Sequence, residues 1–334
     1  MSNLRKILFP FSGGYHLITG IRNWMYDIGL LKSESYDLPV ICVGNLNVGG
    51  TGKSPMIEYL IDLLKDQARL AVLSRGYKRK TRGFKLVETD NTAEEVGDEP
   101  LQFKTKFPDV LVAVEANRRE GISRLLEYKL DVILLDDAFQ HRKVRAGFNI
   151  ILTAYGDLFT KDLILPAGNL RESASGASRA DVIVVTKCPQ QLSDEERRKI
   201  KKELNPKVEQ PVFFSGIEYS EVIHSDFGKI SLEEIPEKAI LVTGIANPKP
   251  LVEYLKNRNL RLEHHEFPDH HHFSVKELRE LETASFILTT EKDYMRLKQS
   301  LPSKKLGYLP IRTKFMEKDK AEFNQKISGY IKQK

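Results

Sequence analysis

PVICVGNLNVGGTGKSPMIEYLIDLLK, residues 39–65, reads as a short apolar strand, a glycine-rich turn and an apolar-periodic helix starting near Ser54. That order is the context of a phosphate loop. Gly49, Gly50 and Gly52 let the backbone turn its N–H groups inward, and the helix N-terminus that follows adds its positive end. Asn47, Val48, Gly49, Gly50, Thr51 and Gly52 are the candidate cradle. Lys53 is placed to reach terminal phosphates, and Ser54 to offer its hydroxyl to a bound Mg²⁺. One position departs from the common pattern: Asn47 stands where the first glycine of the motif is expected.

A phosphate loop calls for a second apolar strand ending in acid, and DVILLDDAFQH supplies it at residues 131–141. Asp136 and Asp137 stand at its end, with Gln140 and His141 on the turn that leaves it. At the carboxyl edge of an open parallel sheet the aspartates would face the loop, as metal ligands or as residues that orient it. A pair that only caps a turn is the plainer alternative. RLAVLSRGYKRK (69–80), GDEPLQF (97–103), DVLVAVEANRREG (109–121) and LILPAGNLRES (163–173) resemble strand-end loops. In them Arg75, Lys78, Arg79 and Lys80 could receive phosphate, Asp98 and Glu99 could do acid–base or metal work, and Arg118 with Arg119 could clamp an anion. A solvated basic surface remains the competing reading of SRGYKRK.

The βα alternation continues through DVIVVTK (181–187), a charged helix and PVFFSG (211–216). Residues 218–238 read as a polar connector, after which AILVTGIANPKPLVEYL (239–255) opens a fresh strand, turn and helix. Later strands are expected near 260–266, at SFILTT (285–290) and at GYLPIRT (307–313). The expected class is α/β: a parallel sheet like that of P-loop nucleoside triphosphate hydrolases, with a second, smaller α/β domain. The expected boundaries are 1–35 for an N-terminal segment, 36–217 for the phosphate-loop domain and 218–334 for the smaller domain.

In the N-terminal segment Leu17, Ile18, Ile21, Trp24, Met25, Ile28 and Leu31 recur at helical spacing, accompanied by Arg5, Lys6, Arg22 and Lys32. The stripe suits a core face, a lipid interface or a contact between copies. With 334 residues, 41% hydrophobic and 29% charged, the chain is long enough and apolar enough for two ordinary cores, which excludes a disulfide scaffold and a disordered chain. Two cysteines in or beside apolar runs suggest reduced thiols. No run approaches the length of a spanning helix, and Pro10, Gly13 and Gly14 interrupt any leader-like segment. The net charge of +6 points to an anionic partner without choosing among nucleic acid, lipid and phosphorylated substrate.

FPDHHHF (267–273) raises a metal site, but three adjacent histidines do not ordinarily aim at one ion, and no HExxH or paired-cysteine arrangement accompanies them. Local hydrogen bonding or a catalytic histidine are the other readings.

Taken in order, RNWMYDIG, VGNLNVGGTGKSP, SRGY, GDEP, DDAFQH, LPAGNLRE, TGIANP, FPDHHHF and TTEKD resemble the tetraacyldisaccharide 4'-kinase family, over roughly residues 5–295. The resemblance implies ATP and Mg²⁺, and transfer of the γ-phosphate to the 4'-hydroxyl of an acylated glucosamine disaccharide 1-phosphate. It further implies peripheral attachment, through the N-terminal helix, to the cytoplasmic face of the inner membrane of a Gram-negative bacterium. No nucleic acid and no obligate protein partner are implied. It makes Asp98 and His270 a catalytic pair, Lys53 the stabiliser of the transferred charge, and Ser54, Asp136 and Asp137 the metal group. Tyr77, Arg119, Gln140, His141, Arg171 and Glu172 become candidate substrate contacts. Asn47 falls on a variable position of the family loop; Ser54 stands in place of threonine, and Ala138 and Lys78 each in place of glycine, so an altered turn is expected at Ala138. A membrane-bound nucleotide switch and a basic nucleic-acid binder are the rival classes; lipid phosphorylation would separate both from the kinase.

Overall fold

β1 (Val40–Asn45) is buried along its whole length between parallel neighbours, and the rest of the fold is organised around it. The computed structural model describes residues 8–333, so Arg5 and Lys6 lie outside the described residues. Eight more strands join β1: β2 (Leu70–Ser74), β3 (Lys85–Leu86), β4 (Leu111–Val114), β5 (Val132–Asp136), β6 (Phe148–Ala154), β7 (Val182–Thr186), β8 (Val212–Tyr219) and, from the far end of the chain, β15 (Ile311–Phe315). The nine run in the order β15-β8-β7-β6-β1-β5-β2-β4-β3. β1, β2 and β4–β8 are parallel; the two edges, β3 and β15, are antiparallel. Near-continuous Val, Ile and Leu in the central strands is what burial on both faces requires. The helix Lys53–Leu64 covers one face with Met56, Ile57, Leu60, Ile61 and Leu64. The other face buries Cys42, Leu73, Leu135 and Ile151; both cysteines are free and buried.

The second sheet holds β9 (Val222–Ser225), β10 (Gly228–Ser231), β11 (Ala239–Thr243), β12 (Glu263–Glu266), β13 (Phe286–Thr289) and β14 (Leu306–Tyr308), ordered β10-β9-β14-β13-β11-β12. Two sequence expectations change here. The span 218–238 is not a bare connector: β8 runs on to Tyr219, and β9 and β10 form an antiparallel hairpin that completes the second sheet. GYLPIRT is not one strand either. β14 ends at Tyr308 in the second sheet and β15 starts at Ile311 in the first, with Pro310, which has no N–H to give a ladder, between them. The chain thus returns to the first sheet, and the helix Glu317–Lys332 docks there through Phe323 and Ile327, with Tyr59 Oη donating to Asn324 at 2.7 Å. The expected span of the smaller domain, 218–334, therefore includes a strand and a helix that pack on the larger sheet.

The N-terminal helix Phe9–Asp27 meets the body with its polar side. Ser12 Oγ donates to the Ile164 carbonyl at 3.1 Å, Tyr15 Oη to that of Arg171 at 3.1 Å, and Arg22 to that of Gln140 at 2.7 Å. Asn23 donates to Glu172 at 2.7 Å, and Arg142 reaches back to Asp27 at 2.7 Å. Most of the apolar stripe faces away: Leu17, Ile18, Ile21, Trp24 and Ile28 are exposed, Ile18 by 70%, as are Phe9 and Phe11 beside it, while Met25 and Leu31 are half-buried. Of the readings left open for this stripe, packing on its own core is excluded for the five exposed members.

Candidate active site

The carboxyl ends of β1, β5, β2 and β7 converge on the phosphate loop, which is where an open α/β sheet binds ligands. The loop leaves β1 at Asn45 and enters the helix at Lys53 through Gly52, whose φ of 88° a side chain would strain. Its outer wall is pinned by the segment 162–171. Val48 donates its N–H to Asn169 at 2.7 Å, Arg171 to Leu46 at 2.7 Å, and the Asn47 side chain to Asp162 at 3.2 Å. Asn47, where the common motif has glycine, is therefore a buried bracket for this wall. From β7, Thr186 Oγ1 donates to the Thr51 carbonyl at 2.7 Å, and Lys187 donates to that of Gly50. The hydroxyl of Thr51 is buried without a partner. Lys53 Nζ lies 3.2 Å from Asn45 Oδ1 and 3.7 Å from Asp137. Ser54 follows as the second residue of the helix.

Asp136 and Asp137 differ sharply. Asp136, last residue of β5 and beside Val43 of β1, is buried and accepts from Ser74 Oγ at 2.9 Å. Burial, then the charges of Asp137 and Glu99, push its carboxyl up to about 6. Asp137 turns off the strand with φ 48°, and both its oxygens meet Arg171, at 2.8 and 3.1 Å. Burial raises its pKa, but Lys53 and Arg171 outweigh burial and hold it below the usual value. The left-handed residue of this turn is Asp137, not Ala138, so the alanine needs no altered backbone. Lys78, in contrast, does adopt φ 59°.

Asp98 is not on a strand-end loop. It is the first residue of the helix Asp98–Lys106, delivered by Gly97 at φ 94°; a Cβ on Gly97 would lie 3.1 Å from Gly76 Cα, so the two glycines let this helix start against the SRGY turn. Asp98 Oδ2 meets His270 Nδ1 at 3.0 Å and Arg296 Nε at 2.9 Å, and Arg296 Nη2 closes on the same oxygen. No described group hydrogen-bonds Oδ1. Burial pushes this carboxyl up, yet the hydrogen bonds from His270 and Arg296 and the charges of Arg296 and Lys292 win, and it falls to about 2. His270 Nε2 lies 2.9 Å from Lys292 Nζ. An ammonium only donates, so Nε2 accepts from Lys292 and Nδ1–H is left for Asp98; Arg296 Nη2, which also only donates and lies 3.1 Å from Nδ1, then gives its hydrogen to Asp98 rather than to the ring. Lys292 also bridges to Glu99 at 3.1 Å, and the Tyr77 ring stands edge-on to His270 at 5.3 Å. Asp98 and His270, 172 residues apart and paired by the family resemblance, lie within hydrogen-bond distance of each other. Of the other histidines in the run, His271 meets Glu277 at 3.1 Å.

Of the remaining candidates, all but the exposed Arg119 face inward. Gln140 donates to the Asn45 carbonyl at 2.8 Å and to Glu172 at 3.1 Å; Glu172 also takes Arg179 at 2.9 Å. His141 Nε2 is buried without a partner, and burial followed by Arg118 pushes its pKa down to about 4, so it stays neutral. Arg119 reaches only Glu34, at 3.9 Å, while buried Arg118 donates to the Asp136 carbonyl at 3.1 Å. Residue-by-residue reading missed Lys292, Asp293 and Arg296. The first two lie in TTEKD, and Arg296 follows Asp293 by three on the same helix, Glu291–Leu297, bonded to it at 2.9 Å. Among the described residues no group of three or more His, Cys, Asp and Glu could hold a metal by itself.

The model of the family described as tetraacyldisaccharide-1-P 4'-kinase matches residues 4–332. A tetraacyldisaccharide 4'-kinase of Flavobacterium johnsoniae is 55% identical over 100% of this chain and 99% of its own. One from Bacteroides thetaiotaomicron is 43% identical over 99% of this chain and 94% of its own. Among solved structures, that of LpxK from Aquifex aeolicus in complex with ATP superposes with a TM-score of 0.79 at 33% identity, covering 98% of this chain and 99% of that one.

Proposed function

We propose, from the premise that the chain belongs to the tetraacyldisaccharide 4'-kinase family, that it transfers the γ-phosphate of ATP to the 4'-hydroxyl of a tetraacyldisaccharide 1-phosphate. Two observations support the reading: a family match that spans nearly the whole chain, and an Asp98–His270 pair whose helix starts against Gly76, two residues after the Ser74 that donates to Asp136. In the transfer the acceptor oxygen bonds to the γ-phosphorus, the bond from that phosphorus to the bridging oxygen of ADP breaks, and the hydroxyl proton leaves. Such transfers need in-line positioning and charge compensation more than a strong base. Lys53, the loop N–H groups and the helix N-terminus neutralise the growing phosphate charge. Asp98 is a weak base at about 2, so its first task is orientation: Oδ1 accepts the 4'-hydroxyl while His270 and Arg296 hold Oδ2, and the proton follows late. Lys292 fixes the His270 tautomer.

The residues fit a Mg²⁺ site at Ser54 and Asp136. Asp136 is a buried, electron-rich carboxylate with a single hydroxyl partner, whereas both oxygens of Asp137 are taken by Arg171. When bound, the ion supplies charge neutralisation at the β- and γ-phosphates. Asp137 then serves Lys53 and Arg171 rather than the ion.

The outward apolar face of the N-terminal helix is the basis for attachment to the cytoplasmic face of a bilayer. No described helix is long and apolar enough to cross a membrane. A cleft of about 1380 Å³ runs beneath this helix, lined by Arg145, Lys207 and Asp181 together with the ion pairs Arg142–Asp27 and Arg179–Glu172. Purified protein with ATP, Mg²⁺ and detergent-dispersed acceptor is expected to yield the 4'-phosphorylated lipid. ATP hydrolysis without phosphorylated lipid would defeat the reading.

A further inference from the structure

The helix that presents Asp98 at its first residue ends at Lys106, and that ammonium sits where three helices meet. It lies 2.7 Å from Glu58 Oε2 on the phosphate-loop helix and 2.9 Å from Glu291 Oε1 at the start of the helix Glu291–Leu297. The two carboxylate side chains are 4% and 5% exposed. Gln102, one turn back on the Asp98 helix, donates to the other oxygen of Glu58 at 2.7 Å, and Glu291 Oε2 is buried with no partner. Two buried carboxylates on one ammonium make a poor stabilising device, because apolar packing of the same volume usually does as well or better. Burial opposes its charge, but Glu58 and Glu291 overcome that and keep Lys106 protonated far above neutral pH.

The three helices share a second property. Each carries part of the transfer site: Lys53 and Ser54 at the amino end of the first, Asp98 and Glu99 at the amino end of the second, and Lys292 and Arg296 one turn apart on the third. We propose that Lys106 is a positioning residue for phosphoryl transfer: by tying Glu58 and Glu291 together it fixes the Asp98 helix simultaneously against the phosphate-loop helix and the helix that grips Asp98 and His270. The proposal rests on the kinase reading above. The helix is short, nine residues, and packs through buried Pro100, Leu101 and Phe103, so release of its Lys106 end shifts it as one rigid body and Asp98 with it. A displacement of about 1 Å at a reacting group can cost about a hundredfold in rate.

Lys106→Met is expected to lower kcat for lipid phosphorylation about tenfold or more, with the ATP dissociation constant changed less than about twofold because no phosphate-loop atom is touched. Lys106→Arg, whose guanidinium can span two carboxylates, should restore most of kcat. Glu291→Gln, which keeps shape and one acceptor, is the second variant should Lys106→Met fold poorly; a loss of a few fold is expected. The NMR resonances of the His270 imidazole, recorded without acceptor, should shift in Lys106→Met and return in Lys106→Arg. That signal is readable even if wild-type protein proves inactive on the lipid, a result that would defeat the kinase reading and not the tie. Unmoved His270 resonances overturn the proposal, as does a kcat loss that tracks melting temperature and is not rescued by arginine.

Discussion

Replacing Asp98 by asparagine removes a charge whose worth can be worked from its surroundings. Asp98 Oδ2 is held by His270 at 3.0 Å and Arg296 at 2.9 Å, and the side chain is only 12% exposed, so solvent screens it little. Burial works against its ionised form, but those two partners and Lys292 lower the carboxyl from an ordinary 3.8 to about 2. That difference favours the ionised form by ~2 kcal/mol in the folded chain. Because the folded value is depressed, the stabilisation is fully present above pH 4 and fades as pH falls toward 2. Asp98→Asn should therefore lower unfolding free energy by ~2 kcal/mol at pH 7, and by roughly half of that at pH 3. Arg296 keeps Asp293 at 2.9 Å, which limits the collateral damage. In the lipid assay kcat should fall about a hundredfold or more, while ATP binding, read with a fluorescent analogue, stays within about twofold. Urea unfolding at both pH values measures the first effect. A stability difference below about 0.5 kcal/mol at pH 7, or one that does not shrink with acid, would refute the electrostatic argument; unchanged kcat would refute the catalytic one.

Two other expectations follow from the geometry. Serine at both Ile18 and Ile21, 70% and 48% exposed on the N-terminal helix, should weaken binding to vesicles of anionic phospholipid by one to two orders of magnitude, at ~1 kcal/mol for each partly buried side chain. Turnover on a short-chain, water-soluble acceptor should not change, and unaltered vesicle binding would show that this face does not meet lipid. Lys78→Gly relieves a left-handed non-glycine residue and should stabilise by up to ~1 kcal/mol, whereas Ala138→Gly gains no backbone relief, deletes a buried methyl and should destabilise by ~1 kcal/mol. Melting shifts of the same sign would contradict that assignment of strain.

The central sheet was legible because its strands are buried on both faces and read as continuous Val, Ile and Leu, and the phosphate loop because glycines and a lysine follow one of them directly. Pairing of Asp98 with His270 came from family resemblance; nothing local links residues 172 apart. What stayed hidden was long-range. An amphipathic stripe looks the same whether it faces a core or a bilayer, and only the polar bonds from Ser12, Tyr15, Arg22 and Asn23 to residues 140–172 turn it outward. GYLPIRT reads as one apolar strand, since the sheet that each half joins depends on partners elsewhere in the chain. Arg296 carries no motif of its own and acquires its role from the turn of helix that places it three residues beyond Asp293.

The adjacent aspartates make the strongest case for geometry over pattern. In sequence Asp136 and Asp137 are equivalent, and both were expected at the metal. Alternation along an extended strand already sends successive side chains to opposite sides, and here the second residue also leaves the strand with φ 48°. One carboxylate therefore stays in the sheet, buried, with only a serine hydroxyl, and rises to about 6. The other swings to Arg171 and Lys53 and is lowered. A carboxylate already neutralised by two cations has little left to offer a third, while one held near 6 by burial and by neighbouring negative charge gains most from a divalent ion beside it. On the proposed reading the division of labour follows: Asp137, 3.7 Å from Lys53 and bonded to Arg171, would position those two cations, and Asp136 would be the carboxylate that holds the ion.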